Sequence, residues 1–184
     1  MEPLQEIKQL AQNVRVIAIG EIGLDYYWNK DNHALQKEIF IEQCKLANEL
    51  NLPIIIHTRE AAGDMIDILK NQISCNKKGV FHCCPLNQEL IKEALKLEYY
   101  ISFAGPITYK NTKNADECIK MVPIEKMLIE TDCPYLSPEP KRGTRNDSRN
   151  IEYIAKKIAQ IKGMPLEEIA RVTYENAKRL FNIK

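Results

Sequence analysis

No stretch of this chain approaches the roughly eighteen consecutive apolar residues that a membrane-spanning helix needs, and that lack argues against a membrane partner. The opening residues, MEPLQEIKQLAQNVRV, are acidic and amphipathic, without the basic head and apolar centre of a secretory signal. A cytoplasmic protein is the expectation. Charge of one sign is lacking too: 26 Lys and Arg face 25 Asp and Glu, for a net charge of +1. No global field draws such a protein to a polyanion, so any binding of nucleic acid has to rest on a local patch or a metal ion. The six cysteines include no CxxC pair, and Cys83 and Cys84 are adjacent. They read as reduced, packed thiols rather than as a disulfide framework or a zinc finger. There is no internal repeat and no low-complexity tract. Histidine is scarce, with three in the chain: His33, His57 and His82.

What is present is one core's worth of apolar sequence. With 184 residues, 45% hydrophobic, the chain suits a single domain over residues 1–184 and is short for two. Apolar runs alternate with amphipathic stretches. Strands are expected over Val14–Gly20, Pro53–His57, Gly79–Cys83, Tyr99–Phe103 and Lys126–Thr131. Helices are expected over Ala34–Leu50, Ala61–Lys70, Leu86–Leu97 and Ala115–Met121. In the first of these, Leu35, Ile39, Leu46 and Leu50, together with Phe40, Cys44 and Ala47, recur at helical spacing. A β-α-β-α order predicts an α/β fold with a parallel sheet and helical crossovers. The segment CPYLSPEPKRGTRNDSRN, with Pro134, Pro138 and Pro140, cannot be helix or central strand and reads as a long loop, of a kind that is usually functional or disordered. Ser148 is expected to cap a helix carrying Ile151, Ile154, Ala155, Ile158 and Ile161, and Pro165 to start another.

The polar residues fall in a pattern. Glu21 follows the first expected strand, His57 ends the second, His82 lies near the end of the third and Asp132 ends the fifth. The carboxyl ends of parallel strands share one edge, where α/β enzymes build their sites. The gaps between these four are 36, 25 and 50 residues. A βα unit of a barrel runs to about thirty residues, so these gaps read as one unit, one unit and two. Two imidazoles and two carboxylates on one rim suit zinc or manganese, and magnesium through the carboxylates. A single His closing a strand is commonly a packed core residue, and a single Asp there is commonly a turn former. Two of three histidines in equivalent places on consecutive strands favour a metal site. His33, ahead of the first long helix, is placed as a surface residue. Glu130 shares a strand face with Asp132, one layer deeper, and is positioned to orient a ligating His. Arg59, Lys141, Arg142, Arg145 and Arg149 supply cations near the rim, and arginine offers the fork geometry that phosphate favours.

The segments AIGEIGLDYY, PIIIHTREA, GVFHCC, ISFAGPITYK and LIETDCPYLSPEPKRGTRN, in that order, resemble the TatD family of metal-dependent deoxyribonucleases, among the amidohydrolase-like metal hydrolases. The resemblance runs from Val14 to the closing NAKRLF. It implies a TIM-type (β/α) barrel and hydrolysis of DNA phosphodiesters, often exonucleolytic. It also implies one or two divalent ions held by Glu21, His57, His82 and Asp132. Asp132 is then the residue to take a proton from water, Glu21 the bridge between two ions, and Arg59, Arg145 and Asn146 the contacts to DNA.

The chain departs from that family pattern in places. It has no His-x-His motif, which opens the family's first strand, and five of eight strands are expected. A barrel of roughly 250 residues exceeds this chain by about seventy, the size of the three missing units. Cys83-Cys84 stands where a Cys-Phe pair is common, and Asp147-Ser148 where Glu-Pro is usual. With the barrel incomplete, the outer strands are expected to be open edges, so that the chain either self-associates through them or is loosely folded. Two other functions fit the same residues. One is hydrolysis of another ester or amide, such as an aminoacyl ester on tRNA. The other is an inactive remnant that works through its strand edges.

Overall fold

The computed structural model describes residues 2–28 and 30–183. Helix α1, Glu2–Leu10, comes first and sets Ile7 against the core. Strand β1 runs over Ile19–Asp25, later than the expected Val14–Gly20. The β-branched run VRVI is not the buried part: Val14 is 95% and Ile17 40% exposed, whereas Ile22 and Leu24 are buried. Alternation in EIGLD, half in and half out, marks the true strand more faithfully than the continuous apolar run before it.

Then follow α2 (His33–Leu50), β2 (Ile54–Arg59), α3 (Ala62–Asp67) with a π turn over Ile68–Gln72, β3 (Val80–Phe81), and α4 (Gln88–Lys96). After these come β4 (Tyr100–Phe103), α5 (Ala115–Met121), β5 (Met127–Ile129), α6 (Ile151–Lys162) and α7 (Leu166–Phe181). The strands form one parallel sheet in the order β1-β2-β3-β4-β5. Among the described residues, β1 and β5 each pair on one side. Sequential parallel strands joined by helices are five consecutive units of a TIM-type barrel.

In α2 the apolar positions form two stripes. Phe40, Cys44 and Ala47 face the sheet and are buried. Leu35 and Ile39 are about half exposed, and with Leu46 they line a groove against α1. The Asp147 side chain, rather than Ser148, caps the turn before α6, accepting the Arg149 N–H at 2.9 Å. Ser148 itself begins the 3₁₀ turn Ser148–Asn150.

The two sheet faces differ in cover. Ile54, Ile56, Phe81, Ile101, Phe103 and Met127 point to the helices and join the main core. The alternate residues Val80, Tyr100 and Leu128 form a smaller cluster on the opposite face with Ile55, Ala177, Leu180 and Phe181. That cluster is closed by α7, whose Asn176 donates its side-chain N–H groups to the carbonyls of Ile124 and Met127, both at 2.8 Å. Apolar packing fills the amino-terminal half of this face, and titratable residues occupy the carboxyl-terminal half.

No described helix is long and apolar enough to cross a membrane.

Candidate metal centre

The register brings the polar residues to one edge. Gly23 pairs with His57 and Asp25 with Arg59, and the pairing is irregular between Ile19 and Ile22, where Glu21 sits. Such an irregularity re-aims one side chain without breaking the strand. Gly23 makes the close approach possible: at φ 146°, a Cβ there would lie 2.0 Å from the His57 carbonyl oxygen. Glu21 lies within β1 rather than just past it, and β2 continues two residues beyond His57, its expected end.

Glu21 Oε1 lies 2.7 Å from His57 Nδ1 and 3.4 Å from His82 Nε2. One ligand atom each from Glu21, His57 and His82 can be chosen so that all lie within 4.8 Å of one another. Asp132 is next to this triad, with Oδ1 3.6 Å from His82 Nε2, and its backbone takes the left-handed φ of 57°. Three of the four expected ligands thus meet, and the fourth is at hydrogen-bond range plus a few tenths of an ångström.

Each imidazole is gripped on its far side by a carboxylate. His57 Nε2 meets Asp25 Oδ2 at 2.9 Å. His82 Nδ1 meets Glu130, whose other oxygen accepts the Cys83 N–H at 2.7 Å. Both rings then present their remaining nitrogen toward Glu21. An outer carboxylate that fixes ring and tautomer in this way is the usual support for a ligating histidine. Donor chemistry and spacing therefore fit a divalent ion.

Electrostatics follows from this packing. The hydrogen bond that the His57 ring donates to the Glu21 carboxylate lowers the pKa of Glu21 and raises that of His57. Burial alone would lower the pKa of His82, but its bond to Glu130 and the fields of Glu130, Glu21 and Asp132 outweigh that and raise it to about 8. For Asp132, burial dominates and pushes the carboxyl pKa up. Burial thus favours the protonated form of Asp132, whereas the bonds from the two imidazoles favour the ionised forms of Glu21 and Glu130.

A cavity of about 850 Å³ opens onto the cluster, lined among others by Trp28, His57, Arg59, His82, Asp132 and Tyr135. Arg59 lies on its wall with the guanidinium 3.7 Å above the Tyr27 ring. Arg145 is exposed and is not among the residues lining this cavity. Asn146 does not match its expected contact with substrate. It is 2% exposed, its side-chain N–H groups bond to the carbonyls of Thr131 and Tyr135 at 2.7 and 2.6 Å, and its oxygen accepts from Asn150. The amide is used up in holding the Pro-rich loop against the end of β5.

Asp25 is the site residue that sequence reasoning missed. A strand extended through Leu24 would have shown it, since residues four apart on a strand share a face. His33 lies apart from the cluster, stacked on Tyr26 with ring centroids 3.6 Å apart. All six cysteines are free, and burial pushes the thiol pKa values of Cys83 and Cys84 up.

The carboxyl edge of a parallel α/β sheet bearing this donor set defines a metal-dependent hydrolase. Residues 1–182 match the family described as TatD related DNase, and the chain belongs to that family. It is 48% identical over 182 residues to the uncharacterized metal-dependent hydrolase YabD of Bacillus subtilis, covering 99% of this chain and 71% of that one. It is 38% identical over 180 residues to the uncharacterized metal-dependent hydrolase YcfH of Escherichia coli K12, covering 98% and 68%. The solved structure of YjjV, a TatD homolog from Escherichia coli K12, superposes with a TM-score of 0.92 at 27% identity, covering 98% of this chain and 70% of that one. The chain is a metal-dependent hydrolase whose cofactor is a divalent ion.

Proposed function

We propose that the protein hydrolyses phosphodiester bonds in DNA, with Glu21, His57, His82 and Asp132 as the metal-binding group. The observation that carries this is the meeting of Glu21, His57 and His82 within 4.8 Å, with both imidazoles lining a cavity that Arg59 also walls. The family description, a DNase, supports the choice of substrate. A divalent ion supplies Lewis-acid polarisation of a phosphoryl oxygen and a more acidic water. Glu21, with two carboxylate oxygens, would contribute to holding one ion or two. Asp25 and Glu130 hold the two imidazoles in place, and Asp132 takes the proton from the attacking water. Arg59 offers its N–H edge to a non-reacting phosphate, and Arg145 is a more distant contact to the backbone.

A DNA oligonucleotide and an aminoacyl-tRNA ester, assayed side by side with added Mg²⁺, Mn²⁺ or Zn²⁺ and with a chelator, test the proposal. The expected result is cleavage of the DNA that the chelator abolishes. Hydrolysis of the aminoacyl ester alone would overturn it. The proposal also includes a cytoplasmic location, supported by the adjacent thiols Cys83 and Cys84. Self-association through the free sides of β1 and β5 completes it, supported by the tendency of unpaired strand edges to recruit strands. Sedimentation at rising concentration checks this, with a constant monomer mass as the contrary outcome.

A further inference from the structure

The segment between β1 and α2 carries the chain's one tryptophan, and it is 71% exposed. Trp28 does not stand alone. Its ring meets that of Tyr27 edge to face at 4.7 Å, and the Arg59 guanidinium lies over Tyr27 at 3.7 Å and 5.6 Å from the Trp28 centroid. An indole left in water while its neighbours are ordered by cation–π and edge-to-face contacts is a prepared surface rather than a stray apolar residue.

Its position relative to the metal centre is fixed by one carboxylate. Asp25 Oδ1 accepts the backbone N–H groups of both Tyr27 and Trp28, each at 3.0 Å, while Asp25 Oδ2 meets His57 Nε2 at 2.9 Å. The aromatic turn and the His57 imidazole are therefore held by opposite oxygens of the same side chain. Trp28 and Arg59 also line the same cavity as His57, His82 and Asp132.

We propose that Trp28, backed by Tyr27 and Arg59, forms a nucleobase-stacking subsite that takes an unpaired base next to the phosphate being cleaved. The ligand it selects is a single-stranded DNA end. This deepens the nuclease proposal and rests on it. An exposed indole accepts any base through its π face, and a guanidinium stacked on a ring keeps its N–H edge free for the adjoining phosphate. A base paired inside a blunt duplex has no free face to offer.

Because Trp28 is the only tryptophan, its intrinsic fluorescence reports contact directly. The whole protein, in chelator to prevent cleavage, is titrated with a short single-stranded oligonucleotide. A second titration uses an oligomer of equal length in which tetrahydrofuran units replace every nucleoside's base. The base-bearing strand should quench Trp28 and bind roughly 5- to 150-fold more tightly than the abasic one, the range that one stacked base supplies. With a labelled strand and anisotropy as the readout, Trp28→Ala should erase that preference and Trp28→Phe should retain most of it. Equal binding of the two oligomers, or a preference unchanged in Trp28→Ala, would overturn the subsite. Adding metal separates the two proposals. Cleavage of both oligomers at one rate, without base-specific quenching, removes the subsite and leaves the nuclease; base-specific quenching without cleavage of either removes the nuclease and leaves the subsite.

Discussion

The two faces of the sheet are written by the same five strands, one residue apart, and they obey different rules. Toward the helices, Ile54, Ile56, Phe81, Ile101 and Phe103 are no more than 1% exposed and have only shape to contribute. On the other face, Ile55, Val80, Tyr100 and Leu128 pack on α7 or against one another, and then the same rows continue into His57, His82 and Glu130. A strand can thus commit one face to stability and split the other between support and chemistry. What allows the split is that each charged group above the apolar rows has a charged or polar partner, so none is buried alone.

The strongest way to break this contrast is to empty the chemical half. Replacing His57 and His82 together by Ala should abolish binding of zinc or manganese, measured by metal content after gel filtration. Retention of the ion would remove these residues from the site. The helix-covered face should respond in the opposite manner. Phe103→Ala, which deletes a fully buried ring, should lower unfolding free energy by about 3–5 kcal/mol in denaturant titration while leaving the metal content of the folded fraction unchanged.

Between these extremes lies Glu130, which belongs to the chemical face and holds the His82 ring and the Cys83 N–H from behind the metal cluster. Glu130→Gln should weaken metal binding roughly 10- to 100-fold, measured by competition with a chelating dye. The same substitution has a pH signature in the metal-free protein. The pKa of His82 is raised from 6.5 to about 8, so the stabilisation from its charged pairing is fully present below pH 6.5 and is lost as pH rises through about 8. The gap in Tm between parent and variant should therefore be wide at pH 6 and narrow above pH 8. A gap that grows with pH would mean that Glu130 does not hold a protonated His82. The smallest effect is expected at the loop, where Arg145→Ala should reduce the salt slope of DNA binding by about one unit, as for one lost phosphate contact. An unchanged slope would assign Arg145 to solvent.

Much of this contrast was legible before any coordinates. Pro53 bounds the run III so sharply that β2 begins within a residue of its expected start, and α5 matches its expected span. The order β-α-β-α and the gaps between Glu21, His57, His82 and Asp132 were enough to bring these four residues to one edge of the sheet. Glu130 could be assigned its place behind His82 because period-two alternation carries over from Asp132. Three things were not legible. β1 was displaced because a β-branched run looks buried whether or not anything covers it, and Val14 is almost fully exposed. The error hid Asp25, which only a strand reaching that far puts beside His57. The role of Asn146 depends on four partners contributed by Thr131, Tyr135, Asp147 and Asn150, a network created by how the loop folds back rather than by any local pattern.

Gly23 has a consequence beyond strand pairing. The space that a methyl group would take is already filled by the carbonyl oxygen of His57, 2.0 Å from where that carbon would stand. Any larger residue must therefore prise the first two strands apart beside Glu21 and His57, the pair that forms one jaw of the metal grip. The main chain acts as the stop on a calliper. Ions differ in radius by a few tenths of an ångström, with oxygen distances of about 2.0–2.1 Å for Mg²⁺ and 2.3–2.6 Å for Ca²⁺. Discrimination on that scale would be governed here by a residue that offers no ligand, carries no charge and has no side chain.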